Sequence, residues 1–416
     1  MALFVHTLGC KVNQYESESI KKELKDNNID LQTEKDIIIV NSCTVTAESD
    51  RKTRQLINKL RREKTDALIV LTGCMPQAFP KEAALLPADI IIGNSSLRDV
   101  SKTIINHINK KEKIIDIPKH DSNECFKESP INSFSERNRA YIKIEDGCNR
   151  GCTYCIIPKA RGRVRSRELE NIKKEALSLS KNGYKEIVLT GINLSSFSYG
   201  IDKAVAIVAN IDGIERVRLG SLEPDLLDKN LLENLNSIKE FCPNFHLSLQ
   251  AGCNKTLKNM NRLYTVEEYE ELISNIREIF NNPSITTDIM VGFPGESEED
   301  FIKTIEFVEK IEFSHIHIFP YSKRSGTAAA LYKNQITKAE KHRRCILLEE
   351  AAKKSAFKFN SKMINTIVTV LTEKNNFGYS ENYVKVNIID DVKEGEIVKI
   401  KITGADENGV FGKIYK

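Results

Sequence analysis

The chain has 416 residues, of which 40% are hydrophobic and 29% are charged, and its formal net charge is only +4. This composition is ordinary for a soluble globular protein, the length favours two or three domains, and the overall charge alone does not indicate a polyanionic partner. No apolar run approaches the ~18 residues that span a bilayer, and the first residues lack a signal-peptide pattern, so we expect a cytoplasmic protein without a membrane partner.

Residues 1–117 alternate short β-rich runs with charged segments of helical character, which predicts βαβ units and a Rossmann-like parallel sheet. Cys10, Cys43 and Cys74 each follow one of the first three runs, at separations of 33 and 31 residues. Because the carboxyl ends of parallel strands share one edge of a sheet, we expect these thiols to converge. We predict a three-cysteine metal site here; the plain alternative is that they are small core residues.

Residues 118–139 are polar, lack periodicity and are interpreted as a linker. Residues 140–357 contain six strand-like runs with helical segments between them, which suits a partial barrel or an open sheet: "AYIKIE", "EIVLT", "RVRLG", "FHLSL", "TTDIMV" and "HIHIF". Residues 358–416 contain strand-like runs without helices between them, so we predict a small all-β barrel there.

Three further cysteines lie close together in "GCNRGCTYC", where Cys148, Cys152 and Cys155 form a C-x3-C-x2-C pattern in a glycine-containing loop. A closed zinc site and a fully protein-ligated iron–sulfur cubane both need four protein ligands. Three thiolates therefore predict an iron–sulfur cluster with one open iron position for a small molecule. The alternative is a zinc knuckle completed by a distant cysteine or histidine.

A basic run follows this loop directly, and a second one lies at residues 51–64. Because phosphate contacts dominate nucleic-acid affinity, and both runs flank cysteine loops, we predict that the first run binds RNA. Its members are Lys159, Arg161, Arg163, Arg165 and Arg167. The alternative is a solvated charged face.

The C-x3-C-x2-C pattern, with Tyr154 before its last cysteine, resembles the signature of radical S-adenosylmethionine enzymes. In that family the open iron binds S-adenosylmethionine, and one electron from the cluster releases a 5′-deoxyadenosyl radical. The resemblance implies that Tyr154 and polar groups at the strand ends hold this cofactor: Gly191, Asn193, Ser221, Glu223, Gln250 and Asp288. His315 and His317 alternate on one strand without a nearby carboxylate motif and are interpreted as structural.

The two cysteine triads together resemble the methylthiotransferase family over essentially the whole chain. The resemblance implies an N-terminal methylthiotransferase domain (1–117), a linker (118–139), a partial (βα)6 radical S-adenosylmethionine barrel (140–357) and a TRAM-type RNA-binding barrel (358–416). It also implies two [4Fe–4S] clusters. Cys148, Cys152 and Cys155 would hold the radical cluster, and Cys10, Cys43 and Cys74 the auxiliary cluster that carries the sulfur.

The stretch "NSCTVTAESDRKTRQ" around Cys43 resembles the branch that acts on N6-threonylcarbamoyladenosine beside the tRNA anticodon. The implied activity is insertion of a methylthio group at C2 of that nucleoside at position 37. The implied partners are tRNA, a sulfur source and an electron donor such as flavodoxin or ferredoxin. The protein itself is expected to be a monomer. Alternatives are the isopentenyladenosine branch or a non-enzymatic iron–sulfur redox protein with an RNA-binding tail.

Overall fold

The computed structural model describes residues 2–29, 33–134 and 138–415. Within these ranges the chain forms two α/β units followed by one β unit. The predicted fold class is confirmed: a parallel sheet comes first, a partial barrel follows, and a small closed β-barrel ends the chain. No helix in the described ranges is long and apolar enough to cross a membrane.

The N-terminal unit is a five-stranded parallel sheet in the order β1-β2-β3-β4-β5. Helices α1 and α5 cover one face and α2 to α4 the other, each through its own apolar cluster. The strand β5 is an addition to the four predicted runs. In chain order the elements are β1 (Leu3–Thr7), α1 (Lys11–Asp26), β2 (Ile37–Ser42), α2 (Ala47–Glu63), β3 (Leu68–Gly73), α3 (Cys74–Ala78), α4 (Pro80–Ala84), β4 (Ile90–Ile92), α5 (Val100–Lys110) and β5 (Ile114–Asp116).

Of the segment predicted as a linker, residues 118–134 and 138 form no helix or strand, whereas its last residue begins the strand Arg139–Lys143. It nevertheless packs closely on the next unit, because Ile131 and Phe134 are buried in the barrel core. The backbone N–H of Ile131 also donates to the carboxylate of Glu175 at 2.7 Å. This connection is therefore ordered by packing and not by its own secondary structure.

The middle unit contains all six predicted strands, which pair with their chain neighbours in parallel to give a partial barrel. A kink between β10 and β11 divides it into sheets of three and four strands. Capping boxes of Thr265 with Glu268 and Ser297 with Asp300 begin two of its helices. The elements are β6 (Arg139–Lys143), β7 (Glu145–Asp146), α6 (Ile157–Arg161), β8 (Arg165–Ser166), α7 (Leu169–Lys181), β9 (Glu186–Thr190), α8 (Ile201–Ala209), β10 (Arg216–Leu219), β11 (Ser221–Leu222), α9 (Lys229–Asn236), β12 (Asn244–Leu247), α10 (Asn254–Asn259), α11 (Val266–Ile279), β13 (Ser284–Val291), α12 (Glu298–Ile311), β14 (His315–Pro320) and α13 (Lys338–Ser361).

The C-terminal unit is a closed five-stranded barrel in the order β15-β16-β17-β19-β18, as expected for a TRAM-type module. The short strand β16 is an addition to the predicted runs, and the proposed boundary at residue 358 falls inside α13. The strands are β15 (Ile367–Glu373), β16 (Phe377–Ser380), β17 (Lys385–Ile388), β18 (Ile397–Asp406) and β19 (Gly409–Ile414).

This small barrel docks against the amino ends of the first strands of the middle unit. Arg216 donates to the carbonyl of Thr369 at 2.6 Å, and Arg218 donates to the carbonyl of Ser380 at 2.6 Å. Glu186 lies fully buried between Arg218 and Arg216, which hold the pKa of its carboxyl at about 2 despite burial. The opposite, carboxyl ends of the strands remain free to form a site.

Candidate functional site

Cys148, Cys152 and Cys155 lie together in the loop between β7 and α6, and each sulfur accepts an N–H group. The backbone N–H of Arg150 donates to Cys148 and that of Ile157 to Cys155, both at 3.4 Å. Cys152 accepts from the guanidinium of Arg262 at 3.4 Å. Burial raises the pKa of Cys155 to about 12. Donors aimed at soft sulfur atoms fit a site in which the thiolates are metal ligands.

Gly147 sets the shape of this loop. Its φ is +84°, a left-handed conformation, and a Cβ atom there would lie 2.0 Å from the carbonyl oxygen of Arg163. Only glycine therefore lets the chain turn from β7 into the cysteine loop while the segment after α6 packs against it.

Glu145 of β7 and Asn193 after β9 supply two acceptors that lack donors among the described residues. Glu145 and Asn193 each have one buried oxygen that accepts no hydrogen bond from the described residues. The backbone N–H of Asn193 donates to the other carboxyl oxygen of Glu145 at 2.7 Å, and burial raises the pKa of this carboxyl to about 8. Because Asn193 also lies 3.7 Å from the Cys148 sulfur, a ligand with an ammonium group would find its acceptors here.

Glu223 lies beside the same loop but is bound by arginine side chains. It pairs with Arg262 and also lies 3.9 Å from Arg150. Arg262 is buried and contacts Cys152, so it joins the carboxylate to the cysteine loop. The sequence analysis did not single out Arg262, although it stands within the "NMNRLYT" stretch after β12.

Tyr154 and Gln250 have mainly structural surroundings. The Tyr154 ring packs edge-on against Phe293 at a centroid distance of 6.5 Å. Gln250 has a left-handed φ of 70° and extends the sheet beyond β12, since its backbone N–H donates to the carbonyl of Asp288 at 2.8 Å.

The barrel encloses a cavity of about 600 Å³ that runs along its strands. Three of the predicted cofactor-binding residues line it: Gly191, Ser221 and Asp288. Cys10 and Lys11 of the N-terminal unit also line it, and Tyr379 of the small barrel lines its other end. One cavity therefore reaches from the first cysteine triad through the centre of the barrel.

His246, Asp288 and His317 form one wall of this cavity, with ligand atoms that all lie within 4.8 Å of one another. The Nε2 atom of His246 is 3.3 Å from Asp288, and its Nδ1 atom is 3.0 Å from the Thr286 hydroxyl. Burial, His315 and other neighbours lower the pKa of His317 to about 4. The interpretation of His317 as merely structural missed this position, because its carboxylate neighbour lies on another strand.

Cys10, Cys43 and Cys74 stand at the carboxyl ends of the adjacent strands β1, β2 and β3, as the spacing predicts. Cys43 and Cys74 are buried and Cys10 is exposed. Gly9 has a φ of +129°, and a Cβ atom at Gly9 would lie 2.9 Å from the Cys43 Cβ. The close approach of the first two strand ends therefore depends on a glycine.

The surroundings of Cys74 connect this triad to the cysteine loop of the barrel. Its sulfur accepts from Arg161 at 3.3 Å and lies 3.7 Å from the amide of Asn94. Asn94 also donates to the carbonyl of Ala160 at 2.8 Å. Burial raises the pKa of Cys74 to about 12. The helix α6, which follows Cys155, thus packs directly on the N-terminal triad.

Arg161 is completely buried at this junction. Its guanidinium pairs with Glu16 of α1 and lies 3.4 Å from Asp146. Lys143 completes the network, at 2.9 Å from Glu16 and 2.7 Å from Asp146. The prediction that Arg161 binds RNA is wrong, because its charge is neutralised by two carboxylates in the protein interior.

The same correction applies to Arg167, which is buried and pairs with Glu175 and, at 2.7 Å, with Glu128. Arg165 is mostly covered as well and lies 3.3 Å from Glu124. Two members of the basic run are exposed: Lys159, whose ammonium lies over the Phe79 ring, and Arg163, which has no ion pair among the described residues. The run is therefore mainly a set of structural ion pairs.

Family models match both cysteine-bearing regions of the chain. The Radical SAM superfamily model matches residues 142–308, and the model of Uncharacterized protein family UPF0004 matches residues 2–93. Among solved structures, the chain resembles the radical S-adenosylmethionine methyltransferase TsrM from Kitasatospora setae, with a TM-score of 0.56 and 15% identity over 80% of this chain and 74% of that chain. This likeness concerns the fold.

Curated relatives match almost the full length. The chain is 37% identical to the threonylcarbamoyladenosine tRNA methylthiotransferase MtaB of Thermotoga maritima, over 98% of this chain and 95% of the relative. It is 35% identical to the protein of that name from Bacillus subtilis, over 96% and 93%. It is also 33% identical to the tRNA-2-methylthio-N(6)-dimethylallyladenosine synthase of Natranaerobius thermophilus, over 99% and 96%.

A partial parallel barrel with a three-cysteine loop at the carboxyl ends of its strands defines a radical S-adenosylmethionine enzyme. The added cysteine-bearing sheet and the full-length similarity are more specific, and the chain belongs to the tRNA methylthiotransferase family. It is a transferase whose cofactors are S-adenosylmethionine and two [4Fe–4S] clusters. The donor sets fit these groups, since each site offers three thiols and the barrel site adds buried acceptors without donors.

Proposed function

We propose that this chain replaces the hydrogen at C2 of N6-threonylcarbamoyladenosine 37 in tRNA with a methylthio group. One observation carries the proposal: Cys10 and the strand-end residues Gly191 and Ser221 line the same cavity. Asn193, two residues after Gly191, lies 3.7 Å from Cys148 of the barrel loop, so a nucleoside in that cavity would lie near both cysteine triads. The chemistry needs this arrangement, because hydrogen abstraction and sulfur transfer must reach one carbon atom.

In this proposal Cys148, Cys152 and Cys155 hold the radical cluster, and Cys10, Cys43 and Cys74 hold the auxiliary one. When bound, the two clusters supply the electron for cleavage of S-adenosylmethionine and the sulfur for transfer. The residues proposed to position S-adenosylmethionine are those at the strand ends together with Tyr154: Gly191, Asn193, Ser221, Glu223, Gln250 and Asp288. The proposal for Asn193 is supported by its unpartnered oxygen and its distance of 3.7 Å from Cys148.

The threonylcarbamoyl substrate is favoured over the isopentenyl one by the character of the cavity. Its wall carries histidine, lysine, aspartate, threonine and serine side chains, such as His246, His317, Lys11, Thr286 and Ser314. A threonylcarbamoyl group presents a carboxylate, a hydroxyl and a urea-type linkage to such a wall, whereas an isopentenyl group is a hydrocarbon. His246, Thr286 and Ser314 already have hydrogen-bond partners within the wall. A hydrocarbon would therefore leave chiefly the Lys11 ammonium, which pairs with no described residue, without a partner.

RNA would reach the cavity from the side where the N-terminal unit meets the barrel, since residues of the small barrel such as Tyr379 line the other end. The exposed cations of this side include Lys159 and Arg163, and Lys52 in the second turn of α2. The proposal also includes a reduced flavodoxin or ferredoxin as electron donor, a separate sulfur source, and a monomer acting in the cytoplasm.

Nucleoside mass spectrometry of tRNA tests this function. We expect 2-methylthio-N6-threonylcarbamoyladenosine in tRNA from cells with the chain and its unmethylthiolated precursor in cells lacking it. A change confined to isopentenyladenosine would show that the chain belongs to the isopentenyladenosine branch of the family. If reduced, reconstituted protein produced no 5′-deoxyadenosine from S-adenosylmethionine, the enzymatic assignment would fail and a redox protein would be the better description.

A further inference from the structure

We propose that Lys11 and His317 bind the carboxylate of the substrate's threonylcarbamoyl group and thereby select this nucleoside. The inference rests on the proposed function and goes beyond it by assigning the specificity to two side chains. Both residues line the barrel cavity, and they come from different units of the molecule.

Lys11 is a cation that has no partner among the described residues. It follows Cys10 directly at the start of α1, and its ammonium makes no hydrogen bond or ion pair with any part of the chain that the structure describes. A half-buried lysine normally gains a carboxylate or carbonyl partner, as Lys143 does with Glu16 and Asp146 in the same region. An unpaired ammonium facing a cavity is the arrangement expected when the anion arrives with the ligand.

The start of α1 adds to this positive end of the cavity. The helix is 16 residues long, its first turn contains no acidic residue, and the Cys10 side chain makes no capping hydrogen bond. The partial positive charge of the helix N-terminus is therefore not neutralised by the chain itself. This partial charge would help to bind an anion that contacts Lys11, but the helix N-terminus is not a binding site by itself.

His317 supplies a directional donor in the same cavity. Its ring packs against that of His315 at a centroid distance of 4.6 Å, so its orientation is restricted. The carboxylate facing it from the next strand, Asp288, is engaged at 3.3 Å by His246. His246 is held in turn by Thr286 at 3.0 Å. One oxygen of Asp288 is thus paired with His246 within the wall, and an imidazole N–H of His317 can donate to an incoming carboxylate.

Other anions explain these residues less well. In the proposed function the carboxylate of S-adenosylmethionine would lie at the cysteine loop of the barrel, near Arg262 and Arg150, whereas Lys11 follows Cys10 of the N-terminal triad. Because residues proposed to position S-adenosylmethionine line the same cavity as Lys11, RNA-free 5′-deoxyadenosine formation is needed to separate the two carboxylates. Backbone phosphates are attached outside the base and would meet exposed cations such as Arg163. The threonylcarbamoyl carboxylate is the one anionic group that a modified base carries into the cavity.

The experiment uses the reconstituted full-length enzyme and two anticodon stem-loop RNAs. One carries N6-threonylcarbamoyladenosine, and the other carries the same nucleoside with its carboxylate converted to a carboxamide. The variants are Lys11→Gln and His317→Gln, with Lys25→Gln as the matched control. Lys25 lies on the same helix, in its last turn, and is exposed. Product is measured by nucleoside mass spectrometry, and 5′-deoxyadenosine formation without RNA is measured in parallel.

For Lys11→Gln we expect KM for the carboxylate RNA to rise about tenfold or more, and KM for the carboxamide RNA to change less than about twofold, because a charge-assisted contact is lost only with the charged ligand. His317→Gln should show the same selectivity with a smaller rise. Lys25→Gln should match the unmodified enzyme on both RNAs, and RNA-free 5′-deoxyadenosine formation should be unchanged in all variants.

Equal losses on both RNAs would overturn the proposal, as would loss of RNA-free 5′-deoxyadenosine formation in Lys11→Gln, which would assign the lysine to the cofactor. Stoichiometric zinc that disappears in His317→Gln would also overturn it, since the histidines would then be metal ligands. If the unmodified enzyme converts isopentenyladenosine RNA and neither threonylcarbamoyl RNA, the proposed substrate itself is wrong, and this pattern is distinct from every variant-specific loss.

Discussion

The two cysteine triads offer similar sets of donor atoms, but the chain assembles them differently. Cys148, Cys152 and Cys155 lie in one loop, and two of their sulfurs accept backbone N–H groups from that loop. Cys10, Cys43 and Cys74 come from three strand ends, and Cys74 relies on Arg161 from the other unit. The first site is therefore local to a short segment, whereas the second depends on the sheet and on the contact between two units.

The difference has a functional consequence. A local loop can assemble around its metal without the N-terminal unit, whereas the N-terminal triad needs α6, which directly follows the barrel's own cysteine loop. We expect damage at the barrel loop to stop all chemistry and damage at the N-terminal triad to stop only sulfur transfer. The predictions below test this comparison in order of expected effect.

The largest effect is expected for Cys152→Ala, which removes one of three ligands from the barrel site. Both 5′-deoxyadenosine and methylthio product should fall to background, and bound iron should fall from about eight to about four atoms per chain. Chromatographic assay of 5′-deoxyadenosine and iron analysis measure this. Cys242→Ala is the control, because Cys242 is buried outside both triads. Persistent cleavage in Cys152→Ala would exclude this loop as the radical site.

Cys43→Ala should separate the two chemistries. The methylthio nucleoside should disappear while cleavage of S-adenosylmethionine remains measurable, with a similar loss of about four iron atoms. Mass spectrometry of the RNA and the 5′-deoxyadenosine assay are run on one preparation, after circular dichroism has shown a native-like fold. Continued formation of the methylthio nucleoside would make the N-terminal triad structural.

Arg161→Met tests the junction between the two sites. Removing this buried cation leaves Glu16 and Asp146 with Lys143 as their main remaining partner, which should cost about 3–5 kcal/mol of unfolding free energy. The exposed Arg163→Met is the matched control and should change it by less than about 0.5 kcal/mol. Anaerobic urea unfolding of reconstituted protein measures both. Equal stabilities would mean that the Arg161 network contributes little to the contact between units.

The smallest effect is expected for Arg163→Glu, at an exposed position between the two sites. Affinity for tRNA should weaken a few-fold, and the slope of log Kd against log salt should decrease by roughly one unit per lost phosphate contact. Lys181→Glu, at the exposed end of α7, carries the same charge change as a control. Binding titrations at several salt concentrations measure the affinity and the salt slope of both variants. If the two variants behave identically, Arg163 contributes only to the overall charge and makes no specific phosphate contact.

The contrast between the basic run and the cysteines explains how far sequence reasoning could go. A ligand pattern such as Cys148 to Cys155 is fixed by short-range spacing, so it is readable without a structure. The charge of Arg161 or Arg167 is equally visible, but its use depends on whether a carboxylate lies opposite. Glu16 is 145 residues away from Arg161 in the sequence, and no local pattern predicts that the two side chains pair.

His317 and Lys11 also could not be assigned from the sequence. Neither belongs to a local motif, and a role for either is indicated only because the barrel and the N-terminal unit line one cavity.

The sequence by itself determined the three-part architecture, most of the strands and helices, both cysteine triads and the family, because periodicity, spacing and motifs are properties of neighbouring residues. Only the tertiary structure decided which arginines are buried ion pairs, which strand-end groups share the cavity and which cations remain unpaired. Those outcomes depend on burial and on long-range partners, since a charge is neutralised, or left free for a ligand, by what the fold brings against it.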